Sequence, residues 1–295
     1  MDLDEYQEQA SRTDQYPGEG TRGETISLFG LIGEIGSLLT TFKKRLRDKD
    51  AYKSFHADLR EEMGDVLWYL ANVAKKYHIS LSDIARFNIE KTRSLHGTSD
   101  LNTRVYNLYD ADFPIAEQLP RQLSVTFNES GEISDAGFKK VRITVKEMQI
   151  GNGLTDNAYG DDGYRYHDCF HLAYAAVLGW SPVLRRMKEC KRKSVLDVDE
   201  VEDGARASFT EEFIALYVYN YARDHNYFDG TDQIDAEILR AVKSLVRGFE
   251  VDNRAAYEWK AAIMRGFEVF RQLRAHNGGI VKLDLLNRTI TYNGK

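Results

Sequence analysis

The sequence predicts a mainly α protein, with an N-terminal helical bundle and an α-rich C-terminal domain that carries small β-hairpins. Three observations lead there. Apolar residues recur at i, i+3, i+4 and i+7 from about residue 25 to 95, and helical texture returns from about 164 to 275. Between these regions QLSVTFNE and KVRITVKEMQI alternate on either side of the glycine-containing ESGEISDAG, which reads as a hairpin over about 121–150. Proline occurs only four times in 295 residues, so long helices are left unbroken.

Composition narrows the function classes. A formal net charge of −6 argues against a general nucleic-acid coat, and the basic runs are isolated, so nucleic-acid binding is not expected. Two cysteines are too few for a disulfide framework and fit a reducing, cytoplasmic compartment. The polar start MDLDEYQEQASRT lacks the basic and apolar regions of a signal peptide. No uninterrupted apolar run is expected to cross a bilayer, so no membrane partner is predicted. Gly, Ser, Asp and Asn cluster in LHGTSDLNT, which places a boundary near residue 100 and divides the chain into 1–100 and 101–295.

In the first long helix, Leu28, Leu31, Ile32, Ile35, Leu38, Leu39, Phe42 and Leu46 form one stripe, and Glu34 lies at its edge with Ser37 one turn on. Glycines at 30, 33 and 36 each cost roughly 1 kcal/mol of helix propensity and would admit a close neighbour. The next helix, LREEMGDVLWYLANVAKKY, carries Leu59, Met63, Val66, Leu67, Leu70, Val73 and Tyr77 on its apolar face. Beside that face runs a row of Glu62, Asp65, Tyr69 and Asn72. Carboxylates on a half-buried row repel and are costly to desolvate. A hard divalent cation resolves the conflict, since Mg²⁺ takes oxygen ligands and keeps waters for a phosphate substrate. Antiparallel packing of the two helices would set Glu34 against Glu62 and Asp65. An acidic helix start stabilised by the helix dipole is the structural alternative.

The pair GEIGSLL and EEMGDVLWYL resembles the MazG-like nucleoside triphosphate pyrophosphohydrolases, an all-α superfamily whose signature is E-E-x-x-E followed by E-x-x-D. The flanks YQEQASRT and ISLSDIARFNIEKTRSLHG agree, so the resemblance covers roughly the first 100 residues. It implies metal-dependent hydrolysis of a nucleoside triphosphate to monophosphate and pyrophosphate, with Mg²⁺ (or Mn²⁺) held by Glu34, Glu62 and Asp65. Glu62 or Glu61 would activate the attacking water. Lys91 and Arg93 match the basic positions that approach phosphate in such proteins, and Lys43 and Lys44 are weaker candidates. Tyr69, and less so Trp68, would contact the base. Helical halves of this kind complete their bundle with another subunit, so a homodimer or larger homo-oligomer is expected. Gly33 and Ser37 stand where the signature carries its first and third Glu. Ser37 offers a hydroxyl to the ion without charge, so a non-catalytic nucleotide-sensing or protein-interaction module with a degenerate site is the alternative.

In the second region, His167 and His171 in YRYHDCFHLAY lie four apart and share a helix face, with Asp168 between them. This partly matches the spacing of H-E-x-x-H zinc sites. Two core histidines with satisfied hydrogen bonds are the bland alternative. Downstream, Glu202, Arg206, Phe209, Phe213 and Leu216 fall on one expected helical stripe, followed by Glu211 and Glu212. His167, Asp168, His171, Glu202 and Glu212 form a candidate second site, with Lys191, Arg192 and Lys193 as candidate phosphate ligands. Because the superfamily includes tandem copies, a diverged second MazG-like module is one expectation for this region.

Overall fold

The structure, a computed structural model, describes residues 1–16, 20–96, 101, 107–133, 137, 139–150 and 158–294. Its contacts divide into two compact units, Met1–Arg93 and Ser94–Lys295.

The first unit is built from α1 (Leu3–Ser11), α2 (Thr21–Asp48), α3 (Phe55–Lys76) and α4 (Leu81–His96). Asp2 caps α1 by accepting the Glu5 backbone N–H at 2.8 Å. A short turn at Lys49–Ala51 folds α3 back along α2. Gly30 meets Tyr69, Glu34 meets Glu62 and Asp65, and Phe42 meets Phe55, so the two helices run antiparallel. Gln7 of α1 fixes the α3–α4 turn, donating to the Ala71 and Ile79 carbonyls and accepting from the Leu81 N–H. Among the described residues the buried cluster holds only Ala10, Ala71, Ala74 and Leu81, with Tyr6, Trp68 and Ile84 packed on it. Much of the apolar stripe lies open instead, including Phe29, Ile32 (65% exposed), Leu39, Met63 and Phe87. One sequence expectation is corrected here. The helical segment Thr21–Ala51 is long and apolar enough, by length and composition, to cross a bilayer. Sorting its residues by face hid this, because Glu34 and the glycines interrupt a run that is otherwise almost continuous.

The second unit starts with β1 (Gln122–Ile133), β2 (Lys139–Val145) and β3 (Met148–Gln149). Part of the hairpin turn in ESGEISDAG lies outside the described residues. Helices α5 (Asp168–Leu178), α6 (Pro182–Met187), α7 (Leu196–Val201), α8 (Ala205–Arg223), α9 (Ala236–Leu245) and α10 (Ala256–His276) follow, then β4 (Gly278–Asp284) and β5 (Thr289–Tyr292). The two hairpins expected from the sequence are not separate. β1 pairs with β2 on one edge and with β4 on the other, giving a single antiparallel sheet in the order β3-β2-β1-β4-β5. Val125, Phe127, Val141, Ile143, Val281, Leu283 and Ile290 alternate into its buried face.

Every residue of α5 is buried, which makes it the central helix of this unit. It packs along α10, where Gly266 permits close approach: a Cβ there would come within 3.2 Å of Ala173 and Phe170. Gly179, at φ 71°, ends α5 with its N–H on the Ala175 carbonyl. Ser181 then caps α6, accepting the Leu184 N–H, with Pro182 in the first turn.

Two further expectations are corrected in α8. Its buried face is Ala207, Ser208, Glu211, Ile214, Ala215, Val218, Tyr219 and Ala222. Phe209 (71% exposed), Phe213 and Leu216 point outward. Small residues let neighbouring helices approach closely, and that advantage outweighs the apolar area of the aromatic stripe. Glu202 lies before this helix, because Gly204 starts it.

Candidate active site

The α2–α3 hairpin gathers three carboxylates. Glu34 from α2 and Glu62 and Asp65 from α3 place one oxygen each within 4.8 Å of the others. Glu34 and Glu62 are half-buried and Asp65 is exposed. Partial burial, followed by the charges of Asp65 and Glu62, raises the Glu34 pKa above the ordinary glutamate value. The cluster therefore carries uncompensated negative charge. An all-oxygen, all-carboxylate donor set suits a hard divalent cation.

The other predicted residues are distributed around this hairpin. Ser37 is half-buried one turn beyond Glu34, and Glu61 is exposed outside the group of three. Gly30 explains itself: a Cβ there would lie 2.1 Å from the Tyr69 ring, so the missing side chain is what lets Tyr69 cross α2. Gly33 and Gly36 have open space at that position. Tyr69 meets Trp68 edge-on at 4.8 Å. Trp68 is used within its own unit, where its indole N–H donates to Thr13 Oγ1 at 2.8 Å. Lys43 and Lys44 are exposed, and Lys44 lies about 15 Å along the helix from Glu34. Lys91 and Arg93 are exposed on α4. Asn72, at the far end of the acidic row, is buried with its Oδ1 accepting no hydrogen bond. Sequence reasoning missed Tyr6, whose phenol is pushed up by burial and by the nearby Asp65 charge.

A second gathering of polar groups occurs in the other unit. His167, Asp168 and His171 bring one ligand atom each within 4.8 Å of the others, all buried. Glu212 of α8 joins them, with Oε2 3.1 Å from His171 Nε2 and 3.7 Å from His167 Nε2. Glu211, overlooked as a site residue, lies 2.9 Å from His171 Nδ1. The available signal was the position of Glu211, three residues after Ser208 and four before Ala215, on the small-residue face of the helix. Burial opposes charge on His171, but the Glu211 and Glu212 carboxylates outweigh it and hold its pKa well above the ordinary imidazole value. Glu212 is pulled down to about 2 against the effect of burial, first by its bond to His171.

Glu202 is not part of this cluster, contrary to expectation. Its carboxylate accepts the Glu250 backbone N–H at 3.0 and 3.1 Å, and burial raises its pKa to about 7. Arg206 lies over the Phe249 ring rather than beside Glu202. Arg192 is likewise no phosphate ligand: it is 1% exposed and holds Asp203 at 2.7 Å and Glu250 at 2.8 Å.

An antiparallel helical hairpin presenting three carboxylates to one point belongs to the class of helical sites that could hold a divalent cation. Family comparison is more specific. Residues 24–98 match the MazG nucleotide pyrophosphohydrolase domain, and residues 104–295 match the MazG C-terminal domain. The chain belongs to the MazG family, whose members act on nucleotides and generally depend on a divalent metal. The helical region after residue 164 is thus matched by a model of its own. Over 100 residues the chain is 39% identical to the Gene 37 protein of Mycobacterium phage L5, covering 32% of this chain and 88% of that relative. No solved structure matches.

Proposed function

We propose that the protein hydrolyses a nucleoside triphosphate to the monophosphate and pyrophosphate, at a site centred on Glu34, Glu62 and Asp65. The observation that carries this reading is the convergence of those three carboxylates across the α2–α3 hairpin. They would hold Mg²⁺, or Mn²⁺ in its place. Such an ion, when bound, neutralises charge on the phosphate oxygens and makes the phosphorus easier to attack.

The chain's own groups supply the rest. Glu62 accepts the proton of the attacking water, with Glu61 as the substitute base. Tyr69, held across Gly30, offers a ring face to the base. Lys91 and Arg93 supply positive charge for the phosphates, with Lys44 a weaker contributor. The open apolar stripes of α2 and α3 support a homodimer or larger homo-oligomer, because a second copy would cover side chains such as Ile32 and Met63. Two free, buried cysteines support a cytoplasmic setting.

Ser37 and Gly33 favour the second reading, a nucleotide-sensing module without turnover. Nothing in the packing requires Gly33, since a side chain there would enter open space. The test is pyrophosphate release from a panel of nucleoside triphosphates with Mg²⁺ or Mn²⁺, beside Glu62→Gln. Release by the wild type and its loss in the variant are expected. Nucleotide binding by a folded wild type that releases no pyrophosphate would overturn the enzymatic reading in favour of the sensor.

A further inference from the structure

We infer that the second unit holds a divalent transition-metal ion between α5 and α8, ligated by His167, His171, Asp168 and Glu212. Four atoms define the place: the two histidine Nε2 atoms, Asp168 Oδ1 and Glu212 Oε2. The four separations between a histidine nitrogen and a carboxylate oxygen are 3.1, 3.7, 3.7 and 3.9 Å. Metal–ligand bonds of about 2.0–2.1 Å in a tetrahedral zinc site require edges of about 3.3–3.4 Å. These four edges lie within about 0.6 Å of that length, so small side-chain movements would close them on an ion.

The groups behind them are arranged to suit that role. His167 Nδ1 lies 3.1 Å from the Tyr164 carbonyl, which can only accept, so the proton sits on Nδ1 and the Nε2 lone pair faces inward. His171 Nδ1 is held by Glu211, which also accepts the Ser181 hydroxyl at 2.7 Å and the Val183 N–H at 2.8 Å. A ligating histidine commonly gives its other N–H to a carbonyl or carboxylate in this way. Tyr164 stacks on the His167 ring at 4.6 Å and 7°, restraining its tilt.

Charge points the same way. Asp168, Glu211 and Glu212 set three carboxylates beside two imidazoles, surroundings that favour a bound cation. Glu211 is fully buried, and Arg186 reaches Glu212 only at 3.9 Å from an exposed position. Two imidazole nitrogens select a borderline transition ion over Mg²⁺. Among the four groups Glu212 is the one that reaches solvent, its side chain 37% exposed against 1–8% for the others. The ion would pin α5 to α8 and, through Glu211, to the start of α6.

Co²⁺ is the probe, added to full-length protein that has been stripped with a chelator and kept in excess Mg²⁺. Visible d–d absorption saturating at about one equivalent is expected, unchanged in Glu62→Gln and lost in His167→Gln and Glu212→Gln. Because His167 is buried, the partly exposed Glu212 provides the variant expected to keep its fold, checked by circular dichroism. Metal should also raise the melting temperature of the wild type but not of Glu212→Gln. Absorption that vanishes in Glu62→Gln and survives in Glu212→Gln would overturn the proposal, placing all metal in the first unit. Absence of any band in folded wild type would also overturn it, leaving a protonated imidazole–carboxylate network.

Discussion

Gly30→Ala separates three glycines that look alike in the sequence. A methyl group at position 30 would meet the Tyr69 ring at 2.1 Å, against a normal carbon contact of about 3.5–4.0 Å. Either the ring swings away or α2 and α3 part by more than about 1 Å, one turn from Glu34. Overpacking costs about 1–3 kcal/mol, and alanine returns roughly 1 kcal/mol of helix propensity. The net cost is about 0–2 kcal/mol. Gly33→Ala meets nothing within 4 Å and should gain roughly 1 kcal/mol from propensity alone. The two variants should therefore differ by about 1–3 kcal/mol, or several degrees or more in the melting of a unit this size. Hydrogen exchange of α2 and α3 in the full-length chain reads that difference directly. Pyrophosphate release should fall in Gly30→Ala, which disturbs Tyr69 or the carboxylates, and persist in Gly33→Ala. Equal protection and equal activity in the two variants would refute the claim that Gly30 exists to seat Tyr69.

Other outcomes follow from the charges. Arg192→Ala leaves the buried Asp203 only the more distant Arg185 guanidinium, at 3.6 Å, which should cost about 3–5 kcal/mol and lower the melting temperature of the second unit by roughly 6–20 °C. Its pyrophosphate release below that transition should be unchanged, and a selective loss of activity would restore the phosphate role. Glu34 must be ionised to hold a cation, and its raised pKa means that activity falls as pH drops through a value above the ordinary glutamate range. Removing a repelling charge with Asp65→Asn should move that acid limb to lower pH while raising the Mg²⁺ concentration needed for activity, as read from pH–rate profiles at several Mg²⁺ concentrations.

The convergence of Glu34, Glu62 and Asp65 was legible because its information is local. Residues 34, 62 and 65 belong to two adjacent helices joined by a short turn, so period and direction suffice to bring them opposite one another. Gly30 was ambiguous, since a sequence does not say which glycine faces a ring. The second unit hid more. Arg192 reads, with Lys191 and Lys193, as a candidate phosphate ligand until the fold sets it against Asp203 and Glu250. The buried face of α8 was misjudged because apolar area predicted Phe209 and Phe213 inside, while close helix packing chose Ala207, Ser208 and Ala215. Glu202 followed that error, since an unbroken stripe was drawn across Gly204. The pairing of β1 with β4 leaves no local trace, because its partners are more than 100 residues apart.

That pairing also orders events during synthesis. Helices α1 to α4 have all been made once residue 96 has been added, so their contacts with one another can form early. β1 can pair with β2 soon after it emerges, but its other edge waits for residues 278–284. At about 5–20 residues per second, the interval is roughly 8–30 s. Throughout it, a twelve-residue strand offers unsatisfied N–H and C=O groups to any extended segment nearby. A ribosome that stalls within α10 would therefore release a chain with a complete first unit and a sticky second one. Its yield should depend on chaperone supply far more than the stability of the finished protein would suggest.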